Sequence, residues 1–237
     1  MALLNPHATV EVVRFSERHF CLVIDDALVE PERLVQYAVT HRDGFRPVDF
    51  NSYPGNYLKA PATLVQALRD LFVWRLRRHF DARRCVGIHC RFSTVTLPPQ
   101  ALQPIQWLCH RDDLRLPAHL SMQASVLYLF RDPRLGGTSF YAPAGSDAQT
   151  EALFDDARRL EPDAFTRRYG IGCGYMHHAN DHFRLLGSVT ARWNRLIFYD
   201  GGMLHSGDIS SPSLLSEDPL AGRLTLNGFF TSTRNLA

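Results

Sequence analysis

The stretch Arg223-Leu224-Thr225-Leu226-Asn227-Gly228-Phe229 alternates between two kinds of residue. In a β-strand, successive side chains point to opposite faces of the sheet, so positions 223, 225, 227 and 229 share one face. That face carries a cation, two hydrogen-bonding groups and an aromatic ring: Arg223, Thr225, Asn227 and Phe229. The leucines at positions 224 and 226 share the other face. The pattern therefore predicts a strand that lies between an apolar layer and a polar cavity.

Short segments of the same character recur from Gly87 onward, separated by turns that contain glycine. We predict strands at residues 88–96, 106–110, 124–130, 138–141, 188–193, 195–199 and 223–231. Short strands at regular spacing are typical of a β-sandwich or jelly roll.

The N-terminal part has a different pattern. A short apolar segment at residues 19–25 predicts a buried strand. Helical spacing of apolar residues predicts helices at 31–41 and 62–80, with an irregular loop rich in Pro, Gly, Asn and Tyr at 44–61. A charged segment at 147–169 predicts a helical insertion. We interpret residues 1–237 as a single domain of mainly β structure with flanking helices (α+β). Residues 1–87 form its support, with helices packed on one sheet, and residues 88–232 form its core.

Composition excludes several classes of protein. The chain has 237 residues, 45% of them hydrophobic, which is enough for a sizeable core. The net charge of +2 is spread without a basic run, so we expect no nucleic-acid partner. No apolar segment near Met1 has the length of a signal peptide or a membrane span, so we expect a cytoplasmic protein without a membrane partner. The five scattered cysteines indicate reduced thiols.

Two short motifs supply metal ligands: Cys109-His110-Arg111-Asp112-Asp113 and Met203-Leu204-His205-Ser206-Gly207. In an extended segment residues i and i+2 point to the same side, so His110 and Asp112 can reach one metal ion while Arg111 faces away. The same geometry favours Asp112 over its neighbour Asp113. A third ligand must come from another strand, and His205 is suitably placed. Two imidazoles and one carboxylate are the ligand set of a mononuclear non-haem Fe(II) site with open positions.

With these motifs in this order, residues 88–232 resemble the Fe(II)- and 2-oxoglutarate-dependent dioxygenases, specifically the prolyl-4-hydroxylase-like branch and its uncharacterised bacterial relatives. The resemblance implies a double-stranded β-helix (a cupin-like jelly roll) in which His110, Asp112 and His205 hold iron. It implies that Arg223 binds the far carboxylate of 2-oxoglutarate.

The resemblance extends to two neighbouring segments. Val126-Leu127-Tyr128-Leu129 resembles the family strand whose tyrosine contacts 2-oxoglutarate, which makes Tyr128 a cofactor-binding candidate. Gly136-Gly137-Thr138-Ser139-Phe140 resembles the family's turn into the next strand. Thr225 and Asn227, which share a strand face with Arg223, are further cofactor-binding candidates.

The implied activity is hydroxylation of an unidentified small molecule or of a peptide or protein side chain, with O2 as co-substrate and release of succinate and CO2. Asp112 argues against the halogenating relatives, which replace this carboxylate by a small residue. Residues 206–221 make the interval between His205 and Arg223 longer than is usual in this branch. Two alternatives are a non-catalytic jelly-roll binding protein, and a cupin-like metalloenzyme that does not use 2-oxoglutarate, in which Arg223 is structural. The sequence leaves the oligomeric state open.

The segment Tyr175-Met176-His177-His178-Ala179-Asn180-Asp181-His182 is a second histidine-rich stretch. On a helix, His178 and His182 would share one face at a spacing that can bind zinc. No third ligand is evident, and glycines at 170, 172 and 174 favour a loop that is solvated or faces the substrate. We expect this loop and residues 44–61 to form a lid.

Overall fold

Strands dominate the computed structural model, which describes residues 4–49, 51–112 and 116–235. In these ranges the strands are β1 (Glu11–Arg14), β2 (Phe20–Ile24), β3 (Arg46–Pro47), β4 (Gly55–Lys59), β5 (Ala82–Val95), β6 (Leu120–Tyr128), β7 (Thr138–Pro143), β8 (Phe183–Val189), β9 (Leu196–Asp200), β10 (Leu204–Gly207) and β11 (Arg223–Arg234). The α-helices are α1 (Glu32–Thr40), α2 (Ala62–Leu71), α3 (Asp147–Arg159) and α4 (Pro162–Tyr169). The protein is therefore mainly β with flanking helices, as the sequence predicted.

The strands form two antiparallel sheets. The large sheet has the order β1-β2-β9-β6-β11-β5-β4-β3, and the small sheet has the order β10-β7-β8. An isolated antiparallel bridge between His110 and His205 adds the His110 segment to the free edge of β10. Strand β11 lies at the centre of the large sheet, paired with β5 on one side and β6 on the other.

The two faces of the large sheet have different neighbours. Leu224, Leu226 and Phe230 of β11 pack in one apolar cluster with residues of α1 and α2. On the opposite face, residues of β6 and β9 pack with residues of β7 and β8 in a second cluster, which includes Phe140 and Tyr199. Helices thus cover one face of the large sheet and the small sheet covers the other. The alternation along β11 reflects these two environments.

The predicted helix at 62–80 changes its type along its length. It is α-helical only as far as Leu71, continues as a π-helical turn at Phe72–Leu76, and ends in a 3-10 turn at Arg77–Phe80. Both Phe72 and Leu76 are fully buried. The predicted helical insertion at 147–169 is confirmed, and it consists of the two helices α3 and α4, because Leu160 is extended and Pro162 starts α4.

Two other segments were assigned the wrong kind of structure. The predicted strand at 106–110 overlaps a 3-10 helix at Pro104–Trp107, which reciprocal hydrogen bonds of Gln103 and Gln106 cap, and within the predicted strand only His110 forms a β-bridge. The predicted loop at 44–61 contains β3 and β4. A Cβ atom at Gly55 would collide with the carbonyl oxygen of Thr94, so glycine allows β4 to approach β5 closely there. A third error is one of position, because β8 begins earlier than the predicted strand at 188–193.

None of the helices in the described ranges combines the length and the apolarity that a membrane crossing requires. All five cysteines are free thiols, and only Cys173 is exposed.

Candidate metal centre

A reciprocal backbone bridge joins the two histidine motifs. The amide of His110 donates to the carbonyl of His205 at 2.9 Å, and the amide of His205 donates to the carbonyl of His110 at 2.9 Å. Two residues along, the amide of Asp112 donates to the carbonyl of Gly201 at 2.8 Å. Backbone pairing therefore fixes the spacing of the two imidazoles, whose ring centroids are 4.4 Å apart.

One potential ligand atom from each of His110, Asp112 and His205 lies within 4.8 Å of the other two. Nε2 of His205 is 3.3 Å from Oδ2 of Asp112, and Nε2 of His110 is 3.7 Å from Oδ1. The structure brings together the three residues that the sequence singled out. The competing residue Asp113 lies outside the described residues.

Hydrogen bonding and burial prepare His205 to act as a ligand. Its Nδ1 lies 2.9 Å from the carbonyl oxygen of Met203, which can only accept, so Nδ1 carries the proton and the lone pair of Nε2 faces the site. Burial lowers the pKa of His205 to about 4, against the opposing effect of the Met203 hydrogen bond. Burial and the neighbouring His205 also lower the pKa of His110, and Asp112 opposes that shift. The side chain of His205 is 7% exposed, whereas that of His110 is 55% exposed.

Met176 forms hydrogen bonds to both segments that carry the candidate histidine ligands. Its sulfur accepts a hydrogen bond from the amide of Cys109 at 3.2 Å, next to His110. Its carbonyl accepts a hydrogen bond from the hydroxyl of Ser206 at 2.6 Å, next to His205. Met176 is buried, so the loop that carries it packs onto the site.

The centre lies on the wall of a cavity of about 770 Å³. The cavity runs between the two sheets and is open at one end, where His110 is exposed. Its lining includes His110, Asp112, His205, Arg223, Asn227 and Phe229. Position 225 was predicted to share this face, but Thr225 is fully buried and is not part of the described lining.

Arg223 lies deep in the cavity wall. Its Nε donates to the carbonyls of residues 135 and 136 at 3.0 and 3.3 Å, and its Nη2 donates to that of residue 137 at 2.8 Å. The guanidinium lies against Gly207, which is on the same strand face as His205 and about 7 Å further along the strand. Nη1 makes no hydrogen bond to the described residues, so donor capacity is left toward the cavity.

Tyr128 is separated from the cavity by one side chain, that of Thr138. Its hydroxyl is 2.8 Å from the hydroxyl of Thr138, and its side chain is fully buried. Thr138, opposite Gly207 in the β7–β10 pair, lines the cavity, whereas Tyr128 is absent from the described lining. Sequence reasoning thus missed Thr138, although the Gly136-Gly137-Thr138 turn contained it.

Asn227 and Thr225 both engage Ser93 of the neighbouring strand. Nδ2 of Asn227 donates to the hydroxyl of Ser93 at 3.1 Å, and its Oδ1 is buried without a hydrogen bond in the described part of the protein. The hydroxyl of Thr225 makes a longer hydrogen bond, 3.5 Å, to the Ser93 carbonyl. Of the two, Asn227 has an acceptor left for a ligand.

Tyr53 is a cavity residue that sequence reasoning assigned only to a possible lid. Its hydroxyl is buried and makes no hydrogen bond of normal length to the described residues, although Ser93 is near enough to lower its pKa. Burial raises the pKa of Tyr53 to about 12, and the charge of Arg223 opposes this shift. The phenol is therefore a donor close to Arg223. No sequence signal beyond the density of aromatic residues marked it.

The histidine-rich stretch at 177–182 forms no metal site in the described residues. Nδ1 of His177 is 2.8 Å from the carbonyl of Tyr175, and Nε2 of His182 is 2.9 Å from the carbonyl of Tyr169. The stretch is not helical, so His178 and His182 do not share a helix face.

The protein is thus mainly β and has a candidate metal centre of two histidines and one aspartate. Residues 6–230 match the family of unknown function DUF6445, and the chain belongs to that family. No curated protein matches the sequence significantly.

Three solved structures illustrate the similarities found. A prolyl-4-hydroxylase from Pseudomonas putida is 13% identical at a TM-score of 0.47, covering 92% of this chain and 94% of the other. The non-haem α-ketoglutarate-dependent epimerase SnoN from nogalamycin biosynthesis is 12% identical at 0.48, covering 92% and 82%. HygX from Streptomyces hygroscopicus, solved with nickel and 2-oxoglutarate, is 11% identical at 0.43, covering 91% and 83%. Because every TM-score here is below 0.5, the functional conclusion depends on the geometry of the site itself.

Proposed function

We propose that this protein is an Fe(II)- and 2-oxoglutarate-dependent oxygenase that hydroxylates a small molecule or a peptide side chain. The observation that carries the proposal is the three-residue centre, in which two imidazoles and one carboxylate converge from paired strands onto an open cavity. His110, Asp112 and His205 would hold the ion, and a donor set of two imidazoles and one carboxylate would leave coordination positions open for substrates.

The residues fit a divalent iron ion in their protonation states as well as in their type. His205 is neutral at pH 7 because burial lowers its pKa, and a neutral imidazole is the form that ligates. The Met203 carbonyl fixes the tautomer that exposes Nε2. When bound, iron and 2-oxoglutarate together supply the oxidising power for C–H hydroxylation.

Arg223 is our candidate for the far carboxylate of 2-oxoglutarate. It lies against Gly207, on the strand that carries His205, and keeps Nη1 for a ligand. Thr138 and Tyr53 line the same region, and each brings a hydroxyl that can donate to a carboxylate. Tyr128 then acts through Thr138, by holding its hydroxyl at 2.8 Å.

Strand order supports a double-stranded β-helix as the architecture. The central strands of the large sheet follow the order β5-β11-β6-β9, and the His110 segment, β10, β7 and β8 follow one another in the small sheet. In both sheets, strands that are distant in sequence are neighbours in space. Pairing between early and late strands is typical of a jelly roll, in which two sheets enclose a cavity.

The cupin-like alternative, a metalloenzyme without 2-oxoglutarate, retains one observation in its favour. The guanidinium of Arg223 already bonds the carbonyls of residues 135–137, which is a sufficient structural role for a buried arginine. A test must therefore separate the structural role from the binding role.

Anaerobic titration with Fe(II) and then 2-oxoglutarate provides this test. We expect one Fe(II) per chain and an absorption band from metal-to-ligand charge transfer when 2-oxoglutarate is added. Arg223→Leu should keep iron and lose the band, whereas Arg223→Lys, which keeps the charge without the fork, should weaken 2-oxoglutarate binding. Arg234→Leu, the same substitution on the same strand, is the control because the side chain of Arg234 is exposed and, among the described residues, hydrogen-bonds only the carbonyl of Leu120.

Two results would contradict the proposal. If wild-type protein bound iron but gave no band, the cupin-like alternative would be favoured. If wild type and His110→Ala bound iron equally, the centre itself would be misassigned.

A further inference from the structure

A second arginine, Arg91, lines the same cavity on the wall of the large sheet. Its guanidinium carbon lies 4.5 Å from the ring centroid of Tyr57 and 5.2 Å from that of Phe229. Two aromatic rings beside a guanidinium restrict its rotation, and the N–H donors lie in the plane of the group. Arg91 is thus held in a defined orientation in the cavity.

Arg91 and Arg223 lie on separate sections of this wall. Arg91 pairs across the strands with Asn227, and Arg223 pairs with Val95. The two positions are four residues apart along the sheet, or about 13 Å. They are therefore arranged to hold two different anionic groups at the same time.

Tyr57 and Arg91 line the same cavity as the candidate metal centre. A group held by Arg91 therefore lies in the cavity that His110, Asp112 and His205 also line. The buried Oδ1 of Asn227, directly across from Arg91, adds an acceptor on the same wall.

The charges in the described cavity lining favour an anion. Four arginines, Arg91, Arg111, Arg158 and Arg223, stand against two carboxylates, Asp112 and Glu151. Arg111 lies 3.8 Å from Glu151, and Arg158 lies 3.2 Å from Asp155 outside the lining. The described lining therefore carries more cationic than anionic side chains, which favours an anionic substrate over a cationic one.

We propose that Arg91 binds a carboxylate of the substrate, so that the substrates of this enzyme are organic acids. The inference rests on the proposed function for the reaction, but the anion site stands on its own contacts. We choose a carboxylate over a phosphate monoester because a single planar fork matches one carboxylate, whereas phosphate sites usually gather more donors.

Calorimetry on protein loaded with Mn(II) and 2-oxoglutarate tests this site. The probes are 3-phenylpropionate, hexanoate and N-acetylalanine, each beside its primary amide. We expect at least one acid to bind about tenfold or more tightly than its amide. Arg91→Gln should abolish that preference, Arg91→Lys should retain part of it, and neither should change 2-oxoglutarate binding. Arg158→Gln, which removes the same charge elsewhere in the lining, should change acid binding less than twofold.

Three results would overturn the inference. The first is that every acid binds like its amide in the wild type. The second is that Arg91→Gln and Arg91→Lys both retain the full preference. The third is that Arg91→Gln loses 2-oxoglutarate binding, because Arg91 would then serve the co-substrate. If wild type failed to bind Mn(II) and 2-oxoglutarate at all, the proposed function would fail, and the same titrations on metal-free protein would still decide whether Arg91 selects acids.

Discussion

The two histidine-rich regions of this protein differ in what their histidines do. His110 and His205 are distant in sequence, yet backbone pairing brings their rings to 4.4 Å and burial keeps His205 neutral. His177, His178 and His182 are close in sequence, yet the first and last bond backbone carbonyls in a loop. Strand pairing, rather than density of ligand residues, builds this candidate centre. Three experiments test this difference between the two regions.

The largest effect should come from removing a strand histidine. Loss of a residue that hydrogen-bonds a metal ligand typically weakens metal binding roughly 10- to 100-fold. His205→Ala removes a candidate ligand itself and should weaken Fe(II) binding more than this. The matched control, His178→Ala in the loop, should leave the affinity unchanged. Anaerobic equilibrium dialysis measures both. Equal losses in the two variants would mean that the loop histidines take part in binding.

A smaller effect should come from Met176, the residue of the loop that does contact both ligand segments. Met176→Ala removes a buried side chain and should lower the free energy of unfolding by about 2–5 kcal/mol. Met176→Leu keeps the volume and loses only the sulfur that accepts from Cys109, which should cost about 1 kcal/mol. Urea denaturation of the metal-free protein distinguishes the two. If neither variant were destabilised, the loop would not support the centre.

The smallest effect should be that of mild acid on metal affinity. Protons compete with metal only when they bind the ligands, and burial lowers the pKa of His205 from its ordinary 6.5 to about 4. As the pH falls, protons therefore begin to compete with the metal for His205 only well below pH 6.5. Between pH 7.5 and 5.5 the affinity should fall at most about tenfold, which is the loss if His110 alone kept an ordinary pKa, whereas two histidines of ordinary pKa would give a fall of about 100-fold. Co(II) titrations across this range provide the measurement, and a fall near 100-fold would show ordinary, accessible imidazoles.

Local patterns were sufficient to predict the parts of the molecule that depend on local geometry. The alternation of β11 and the same-side spacing of His110 and Asp112 follow from strand periodicity, and both are present in the structure. The 3-10 turn at Pro104–Trp107 and the short strand β4 depend on capping contacts and on a close approach at Gly55. The sequence indicates such contacts only weakly, because they join residues whose proximity depends on the whole fold.

The same limit explains the residues around Arg223. Tyr53 reaches the cavity from an N-terminal segment, and nothing in its neighbours' spacing indicates the strand that it faces. Tyr128 is on the predicted strand, but the orientation that turns its hydroxyl to Thr138 is set by packing between the two sheets. The prediction of the candidate metal ligands depends on one strand pair, whereas the surroundings of Arg223 depend on the packing of both sheets and of an N-terminal segment.

The bridge between positions 110 and 205 also has a thermodynamic consequence. It closes a long loop of the chain with only two hydrogen bonds, and such a closure carries an entropic cost that grows slowly with loop length. An ion held by both imidazoles binds only the closed form, so its binding free energy is added to the stability of the closure. Opening of this small-sheet edge should therefore be a local event in the metal-free protein and a suppressed one in the loaded protein. The amides of His110 and His205 should report it as slower hydrogen exchange on loading, while the central strand β11 exchanges at an unchanged rate.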